Sequence, residues 1–350
     1  MSNKKIDEYI DIFIDHKGFQ GVNKKTKKSL RSSIKNTIRL SNRDFLLWNG
    51  NDCLEVYYAI YSLPKNLTRN KIFFGLKGRD LLEKADFAGV ERISVSTAEK
   101  YVRGIKVFSG WLYSQGIIKH DFFRELKPKK SNVKDVCQRM PFSEEQVDEI
   151  LKSEVFKADN NYLKWIVLIA TEMGMRQNEI SQLYRNNIVK KDGIWCINVS
   201  RDRNDQRLKN KNSPRTVPIP ETLIKLDFIN FVASCDERLF PELKYYEDDG
   251  YSKNVSKWFS DYKQQLSFGK IRDFHSFRHY FIDKMKQAKV EEFITAEIVG
   301  HGYEKETYGR YGGNISAKTV KKIMDKHSSK SVKKMVTRYR LKKLTKILSR

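Results

Sequence analysis

Cysteine is scarce in this 350-residue chain, and long apolar runs are absent from it. The four cysteines never come closer together than about forty residues, so the sequence contains neither a CxxC metal clamp nor a dense disulfide framework. No segment approaches the run of about 18 uncharged apolar residues that a membrane span needs. Asp7, Asp11 and Asp15 interrupt the apolar pattern at the N terminus, which is therefore not typical of a secretory signal. We expect reduced thiols, a cytoplasmic location and no contact with a membrane.

Acidic residues are also few relative to basic ones. Asp and Glu number 43 against 68 Lys and Arg, which gives a formal charge of +25 and a sequence pI near 9.7. Aromatic residues make up 12% of the chain, more than is typical of a disordered protein. These values predict a folded protein with a basic exterior, and the natural partner of such a surface is a polyanion.

The length predicts two domains, and a basic segment separates them. LKPKKSNVKDVCQRMP carries two prolines and five basic residues with little apolar periodicity, which is typical of a linker. We therefore expect an N-terminal helical domain over 1–128, a basic linker over 129–142, a second domain over 143–330 and a basic tail over 331–350. Roughly the first 40 residues, which include the run KKTKK, could form an accessory basic segment of the first domain.

Periodicity predicts a mainly α fold with a small antiparallel β-sheet. Apolar residues at steps of three and four indicate an amphipathic helix over 97–115, and Ser143 and Gln146 have the spacing of a capping box that opens the second domain. In IVKKDGIWCINVS the period changes to two around Asp192 and Gly193, which predicts a hairpin. Another short strand is expected over 215–219.

Four motifs in the second domain could carry chemistry. Arg176 lies in TEMGMRQNEI, where Glu179 is placed to orient it, and RLKNKNSPRTVPIP presents Lys209 or Lys211 on a polar turn. FHSFRHYF contains the pair His275 and Arg278, three residues apart and therefore on one helix face. VGHGYEKETYGRYGG contains His301 followed by Tyr308 and Tyr311. Each motif alone has an ordinary structural explanation, such as an ion pair, a solvated lysine or a packed tyrosine.

The order Arg, Lys, HxxR, His, Tyr resembles the tyrosine recombinase (phage integrase) family. GMRQNEISQL is similar to the first arginine box of that family, KNKNSPRTVPIP to its lysine hairpin, FHSFRHYF to its second box and VGHGYEKETYGRYG to its final histidine and nucleophilic tyrosine. Before the linker, ISVSTAEKYVRGIKVFSGWLYSQGII resembles the last long helix of the core-binding domain. The interval from His301 to Tyr311, the tyrosine that corresponds to the nucleophile, is one residue longer than in many members of the family.

The resemblance implies a two-domain DNA clamp, made of a helical core-binding domain and a tyrosine-recombinase catalytic domain. It also implies a site-specific integrase that cleaves and rejoins DNA through a covalent 3′-phosphotyrosine, without metal, ATP or another cofactor. The implied partners are double-stranded attachment sites and three further copies of the chain in a tetramer, with an accessory DNA-bending protein left open. The implied catalytic residues are Arg176, Lys209, His275, Arg278, His301 and Tyr311.

Two other functions are compatible with the same motifs. A type IB topoisomerase uses a similar Arg, Lys, Arg, His, Tyr set to relax DNA, and a DNA-binding regulator could retain the fold without catalysis. The HxxR box, the integrase-like N-terminal helix and the segment after the tyrosine favour recombination over relaxation. All of the expected side chains are present, which favours an active enzyme over a regulator.

Overall fold

The computed structural model describes residues 2–127, 129, 139–153, 156, 162–210, 212–266, 268–269, 271–302 and 315–348. The chain divides into two compact units, Met1–Val136 and Cys137–Arg350. Within the described ranges, none of the helices combines the length and the apolar character needed to cross a membrane.

The first unit is helical. Its helices are α1 (Ser2–Phe19), α2 (Lys24–Ile38), α3 (Gly50–Ile60), α4 (Gly78–Phe87) and α5 (Val95–Ser114). Helix α5 confirms the amphipathic helix predicted over 97–115. Ser94 caps its N terminus and Gly116, at φ +66°, follows its C terminus. The core of the unit forms around α5, whose apolar face is fully buried at Val102, Ile105, Phe108 and Leu112.

The second unit contains ten further helices among the residues described. Those before the sheet are α6 (Glu144–Lys152), α7 (Tyr162–Met173) and α8 (Gln177–Ser181). Those after it are α9 (Glu221–Lys225), α10 (Phe228–Ala233), α11 (Ser252–Gln265), α12 (His275–Gln287), α13 (Glu292–Val299), α14 (Ala317–Lys326) and α15 (Lys330–Leu348). The predicted capping box is present, because Ser143 Oγ accepts from the Gln146 amide and the Gln146 side chain accepts from the Ser143 amide.

A three-stranded antiparallel sheet of order β1-β2-β3 lies within this helical unit. Its strands are β1 (Ile188–Lys191), β2 (Ile194–Val199) and β3 (Arg215–Pro218). The predicted hairpin is confirmed: Asp192 and Gly193, both at positive φ, join β1 to β2. The chain therefore has the mainly α fold with a small antiparallel sheet that its periodicity predicts.

Helix α15 extends the core of the second unit beyond residue 330, where sequence analysis ends the catalytic domain. Val332 and Val336 are buried in that core, and the Ser331 amide donates to Glu144 Oε1 at 2.7 Å. Farther along, the Tyr339 hydroxyl donates to Asp227 at 2.6 Å. The two valines are four residues apart among lysines and arginines and form a narrow apolar stripe on one face of the helix. The net charge of the segment does not reveal this stripe.

Candidate active site

A cavity of about 630 Å³ in the second unit collects five of the six predicted site residues: Arg176, Lys209, His275, Arg278 and His301. They come from the start of α8, the loop between β2 and β3, the first turn of α12 and the chain after α13. The sixth, Tyr311, lies outside the described residues, as do Tyr308 and Lys211. Because most of the lining side chains are basic or neutral nitrogen donors, the cavity is suited to an anion.

Arg176 is held by the turn between α7 and α8. Gly174 ends α7 at φ +59°, and a Cβ at this position would lie 2.5 Å from the ring of Phe281, so only glycine fits the turn. The Arg176 amide donates to Glu179 Oε2 at 3.0 Å, and its Nη1 donates to Glu179 Oε1 at 2.7 Å. Its Nη2 donates to the carbonyl of Gly300 at 2.9 Å, which ties the arginine to the chain next to His301.

Glu179 pairs with two arginines, Arg176 and Arg215. Its spacing from Arg176 predicts the first of these pairs. Arg215 Nη2 donates to Glu179 Oε2 at 2.9 Å, and Arg215 Nε donates to the carbonyl of Ile298 at 2.7 Å. Burial opposes ionisation of Glu179, but Arg215 and Arg176 outweigh it and hold its pKa below the usual range. Sequence analysis missed Arg215 as part of this cluster, since its partners lie far away along the chain.

Arg278 is the most buried cation of the cavity, with 1% of its surface exposed. Its Nη1 donates to the carbonyl of Gly174 at 2.8 Å, whereas its Nη2 has no hydrogen-bond partner among the described residues. Burial, together with the charge of Arg176, lowers the pKa of Arg278 to about 9, so the group is still charged at neutral pH. A buried charged donor without an acceptor is costly, and an anion in the cavity would remove that cost.

The two predicted histidines differ in how they are held. His275 begins α12, where its amide donates to Asp273 Oδ1 at 2.8 Å, and its ring meets that of His279 edge-on at 4.9 Å. Burial is the largest of the causes that lower the pKa of His275 to about 4, and the neighbouring His279 and Arg278 contribute as well. For His301, partial burial is the largest cause and the charges of Arg278 and Arg176 add to it; together they lower its pKa to about 4. Both rings are therefore neutral at pH 7, and each offers one N–H donor and one lone pair.

The cavity is lined by two more cations, and sequence analysis did not single out either of them. Arg139 Nε pairs with Asp273 Oδ2 at 2.6 Å, and Lys263 Nζ donates to the carbonyl of Arg272 at 2.5 Å. The prediction assigned Arg139 only to the basic linker, and nothing in the local pattern distinguishes Lys263 from other helix lysines. Within the described part of the chain, no group of three or more His, Cys, Asp or Glu side chains is placed to hold a metal ion.

Three solved structures with a similar fold are integrases bound to DNA. A lambda integrase(75–356) dimer bound to a COC′ core site is 13% identical, covers 89% of this chain and 99% of its own, and has a TM-score of 0.58. A lambda integrase tetramer bound to a Holliday junction is 12% identical, with 89% and 79% covered and a TM-score of 0.57. The Tn1549 transposon integrase (residues 82–397) in complex with circular intermediate DNA is 16% identical, with 91% and 98% covered and a TM-score of 0.56.

Sequence comparison gives the family. No curated protein matches the chain. The profile of the phage integrase family, however, matches residues 141–315, which is half of the chain and includes all four motifs and the cavity residues except Arg139. The chain belongs to the phage integrase family of tyrosine recombinases, enzymes that cleave and rejoin DNA.

Proposed function

We propose that this protein is a site-specific DNA recombinase that cleaves and rejoins DNA through a covalent 3′-phosphotyrosine on Tyr311. One observation carries the proposal: five predicted side chains, separated by up to 125 residues in the sequence, line a single basic cavity. Site-specific recombination is also what the family and the fold support. The roles proposed for the individual residues are those that the family resemblance implies, and the contacts of Arg176 and Arg278 support two of them.

The two arginines of the motifs bind the scissile phosphate. Charge builds on the nonbridging oxygens as phosphorus becomes pentavalent, and guanidinium groups stabilise that charge with planar, permanently charged donors. Arg278 can direct its Nη2 at one oxygen, because that donor has no other partner among the described residues. Arg176 is held in place by Glu179 and by the Gly300 carbonyl, so its guanidinium is already oriented before DNA binds.

Proton transfer is assigned to the histidines, the lysine and the tyrosine. The Tyr311 oxygen attacks phosphorus while its proton passes to a neutral histidine, His275 or His301, and the bond from phosphorus to the 5′ oxygen breaks. Lys209 donates a proton to that departing oxygen, which is a poor leaving group without one. Attack by a 5′-hydroxyl of a second duplex reverses these steps and completes strand exchange.

The partner is double-stranded DNA that carries attachment sites, bound by a homo-tetramer of this chain. Lambda integrase has been solved as a dimer on a core site and as a tetramer on a Holliday junction, which supports this assembly. We assign residues 1–128 to core binding, 129–142 to the linker that crosses the DNA backbone, and the second domain to catalysis. The action is cytoplasmic, and an accessory DNA-bending protein is an optional further partner.

Suicide-substrate trapping tests the nucleophile. A nicked attachment site that releases its 5′-hydroxyl fragment should accumulate a covalent protein–DNA adduct with the wild-type chain. Tyr311→Phe should bind the same site with wild-type affinity and form no adduct, because it loses only the attacking oxygen. Tyr308→Phe is the matched control and should form the adduct normally. An adduct that persists in Tyr311→Phe and disappears in Tyr308→Phe would move the nucleophile to Tyr308.

Chelation tests the independence from metal ions. Because the arginines supply the positive charge that Mg²⁺ supplies to many nucleases, adduct formation should proceed at an unchanged rate in excess EDTA. Activity that disappears with EDTA and returns with Mg²⁺ would contradict a metal-free reaction. Recombination without added ATP is expected for the same enzyme, since the phosphotyrosine conserves the bond energy.

A further inference from the structure

The loop between β2 and β3 carries Lys209 to the cavity, and a partly buried carboxylate within that loop has an unusual set of partners. Asp205 Oδ2 accepts two hydrogen bonds, one from the hydroxyl of Tyr184 and one from the hydroxyl of Tyr251, both at 2.5 Å. Both tyrosines are buried, each with 6% of its surface exposed. Tyr184 lies just after α8 and Tyr251 just before α11, so Asp205 ties the loop to the segments beside two helices that line the cavity.

A nearby cation, Arg238, reinforces this arrangement. The guanidinium of Arg238 lies 3.5 Å from the centre of the Tyr251 ring, where it stabilises the ring and the neighbouring carboxylate. Burial opposes ionisation of Asp205, but the hydrogen bonds from Tyr184 and Tyr251 outweigh it and lower the pKa of Asp205. Asp205 is therefore an anion that accepts from two neutral phenols, a strong charge-assisted pair of bonds.

The loop is fastened on both sides of Lys209. Two residues before it, the Arg207 amide donates to Gln182 Oε1 at 2.8 Å. One residue after it, the Asn210 amide donates at 3.2 Å to the buried hydroxyl of Ser213 in the same loop, and Arg176 Nη1 donates to that hydroxyl at 3.4 Å. Asp205 thus belongs to a set of anchors that fix the backbone at Lys209 but leave its side chain exposed.

We infer that Asp205 is a positioning residue that holds Lys209 where it can protonate the departing 5′ oxygen. The inference rests on the proposed role of Lys209 as the general acid. An acid acts only within hydrogen-bond reach of the oxygen it protonates, and a displacement of about 1 Å can cost on the order of 10²-fold in rate. A loop tied by a carboxylate to two buried tyrosines keeps the lysine within that distance.

Leaving-group chemistry distinguishes this role from a purely structural one. A substrate with a 5′-bridging phosphorothiolate releases sulfur, which leaves without a proton, so it bypasses any defect in the acid. We expect Asp205→Ala to slow single-turnover cleavage of the ordinary phosphodiester by about 10- to 100-fold. With the phosphorothiolate, the rate should return to within about threefold of wild type. Asp202→Ala removes a carboxylate three residues earlier in the same loop, without contact to the tyrosines, and should cleave both substrates normally.

Lys209→Ala is the reference variant that separates the role of Asp205 in positioning from the role of Lys209 as the acid. Rescue of both Lys209→Ala and Asp205→Ala by the phosphorothiolate supports the inference. Rescue of Lys209→Ala alone overturns the role of Asp205 and leaves the proposed function intact. Absence of rescue in both overturns Lys209 as the acid, and the inference falls with it.

A milder variant, Tyr251→Phe, tests the inference if Asp205→Ala does not fold. Tyr251→Phe removes one of the two hydrogen bonds to Asp205 and keeps the buried ring. It should show a smaller slowing than Asp205→Ala, and the same phosphorothiolate should rescue it. Rates are measured with saturating DNA, and thermal unfolding of each variant is recorded beside them. An equal slowing on both substrates in Tyr251→Phe would overturn the inference even if Asp205→Ala fails to fold.

Discussion

At the scale of single residues, Glu179 is the side chain on which the arginine geometry depends. It is 3% exposed and binds both Arg176 and Arg215. Sequence spacing is enough to connect Glu179 with Arg176, because the two lie three residues apart at a helix start. The connection with Arg215 requires the fold.

Replacement of Glu179 by Gln should therefore affect both rate and stability. If Arg176 binds the scissile phosphate as proposed, we expect cleavage to fall on the order of 10²-fold, because Glu179 no longer holds its guanidinium in place. Loss of one partner of a buried ion pair should cost about 3–5 kcal/mol in the free energy of unfolding. Single-turnover cleavage and urea unfolding measure the two effects. Glu83→Gln, which removes the exposed partner of the exposed Arg79, is the control and should change stability by less than about 1 kcal/mol. Wild-type cleavage by Glu179→Gln would contradict the positioning of Arg176.

His275 makes stability depend on pH. Its pKa in the folded protein, about 4, lies below the ordinary value of 6.5, because burial and the nearby His279 disfavour the charged ring. Between these two values the unfolded chain binds more protons than the folded one, so the free energy of unfolding falls as the pH decreases from about 6.5 to about 4. Above that window, the stabilisation is fully present.

Urea unfolding at about pH 7 and about pH 5 tests this dependence. The wild-type protein should lose more stability between the two conditions than His275→Gln, which cannot take up the proton. A control variant at the exposed His16, His16→Gln, should keep the wild-type difference. The same loss in wild type and His275→Gln would show that His275 does not cause it.

At the scale of elements, α15 places part of the basic C-terminal segment in the core of the second unit, so we expect this segment to stabilise the fold. Truncation after Lys330 removes Val332 and Val336 from the core, and each buried valine contributes roughly 1.5–3 kcal/mol. It also removes the amide of Ser331 from Glu144. We expect a clearly lower midpoint of urea unfolding for this truncation.

A shorter truncation is the matched control. Ending the chain after Arg340 removes the exposed Leu341, Leu344 and Ile347 but keeps both buried valines and Tyr339. It should unfold close to the wild-type midpoint. Equal midpoints for wild type and the truncation after Lys330 would show that α15 contributes no stability to the second unit.

At the scale of the whole molecule, the charge of +25 predicts that DNA binding depends steeply on salt. Each phosphate contact releases condensed counterions, so the logarithm of the binding constant should fall linearly with the logarithm of the salt concentration. Arg139→Gln, which removes a cavity cation, should reduce that slope by about 0.9. Lys225→Gln removes a lysine that is paired with Glu221, and it should leave the slope unchanged. Fluorescence anisotropy titrations at several salt concentrations provide the measurement, and an unchanged slope in Arg139→Gln would place Arg139 away from the phosphates.

Local signals explain what could be predicted without coordinates. The apolar period of α5, the capping box at Ser143 and the turn at Asp192 and Gly193 depend on residues within one or two turns of each other, and all three are present in the structure. The mainly α fold follows from such signals. Similarly, the family could be inferred because each motif is a short segment and the motifs keep a fixed order along the chain.

The sequence by itself therefore determined the fold class, the family and five side chains that line the cavity. Only the tertiary structure decided that Glu179 binds Arg215 across 36 residues and that Asp205 accepts from Tyr184 and Tyr251. It also decided that Arg278 keeps a buried donor without a partner among the described residues. Contacts of this kind depend on where distant segments meet in three dimensions, and a single sequence has no local pattern that records such a meeting.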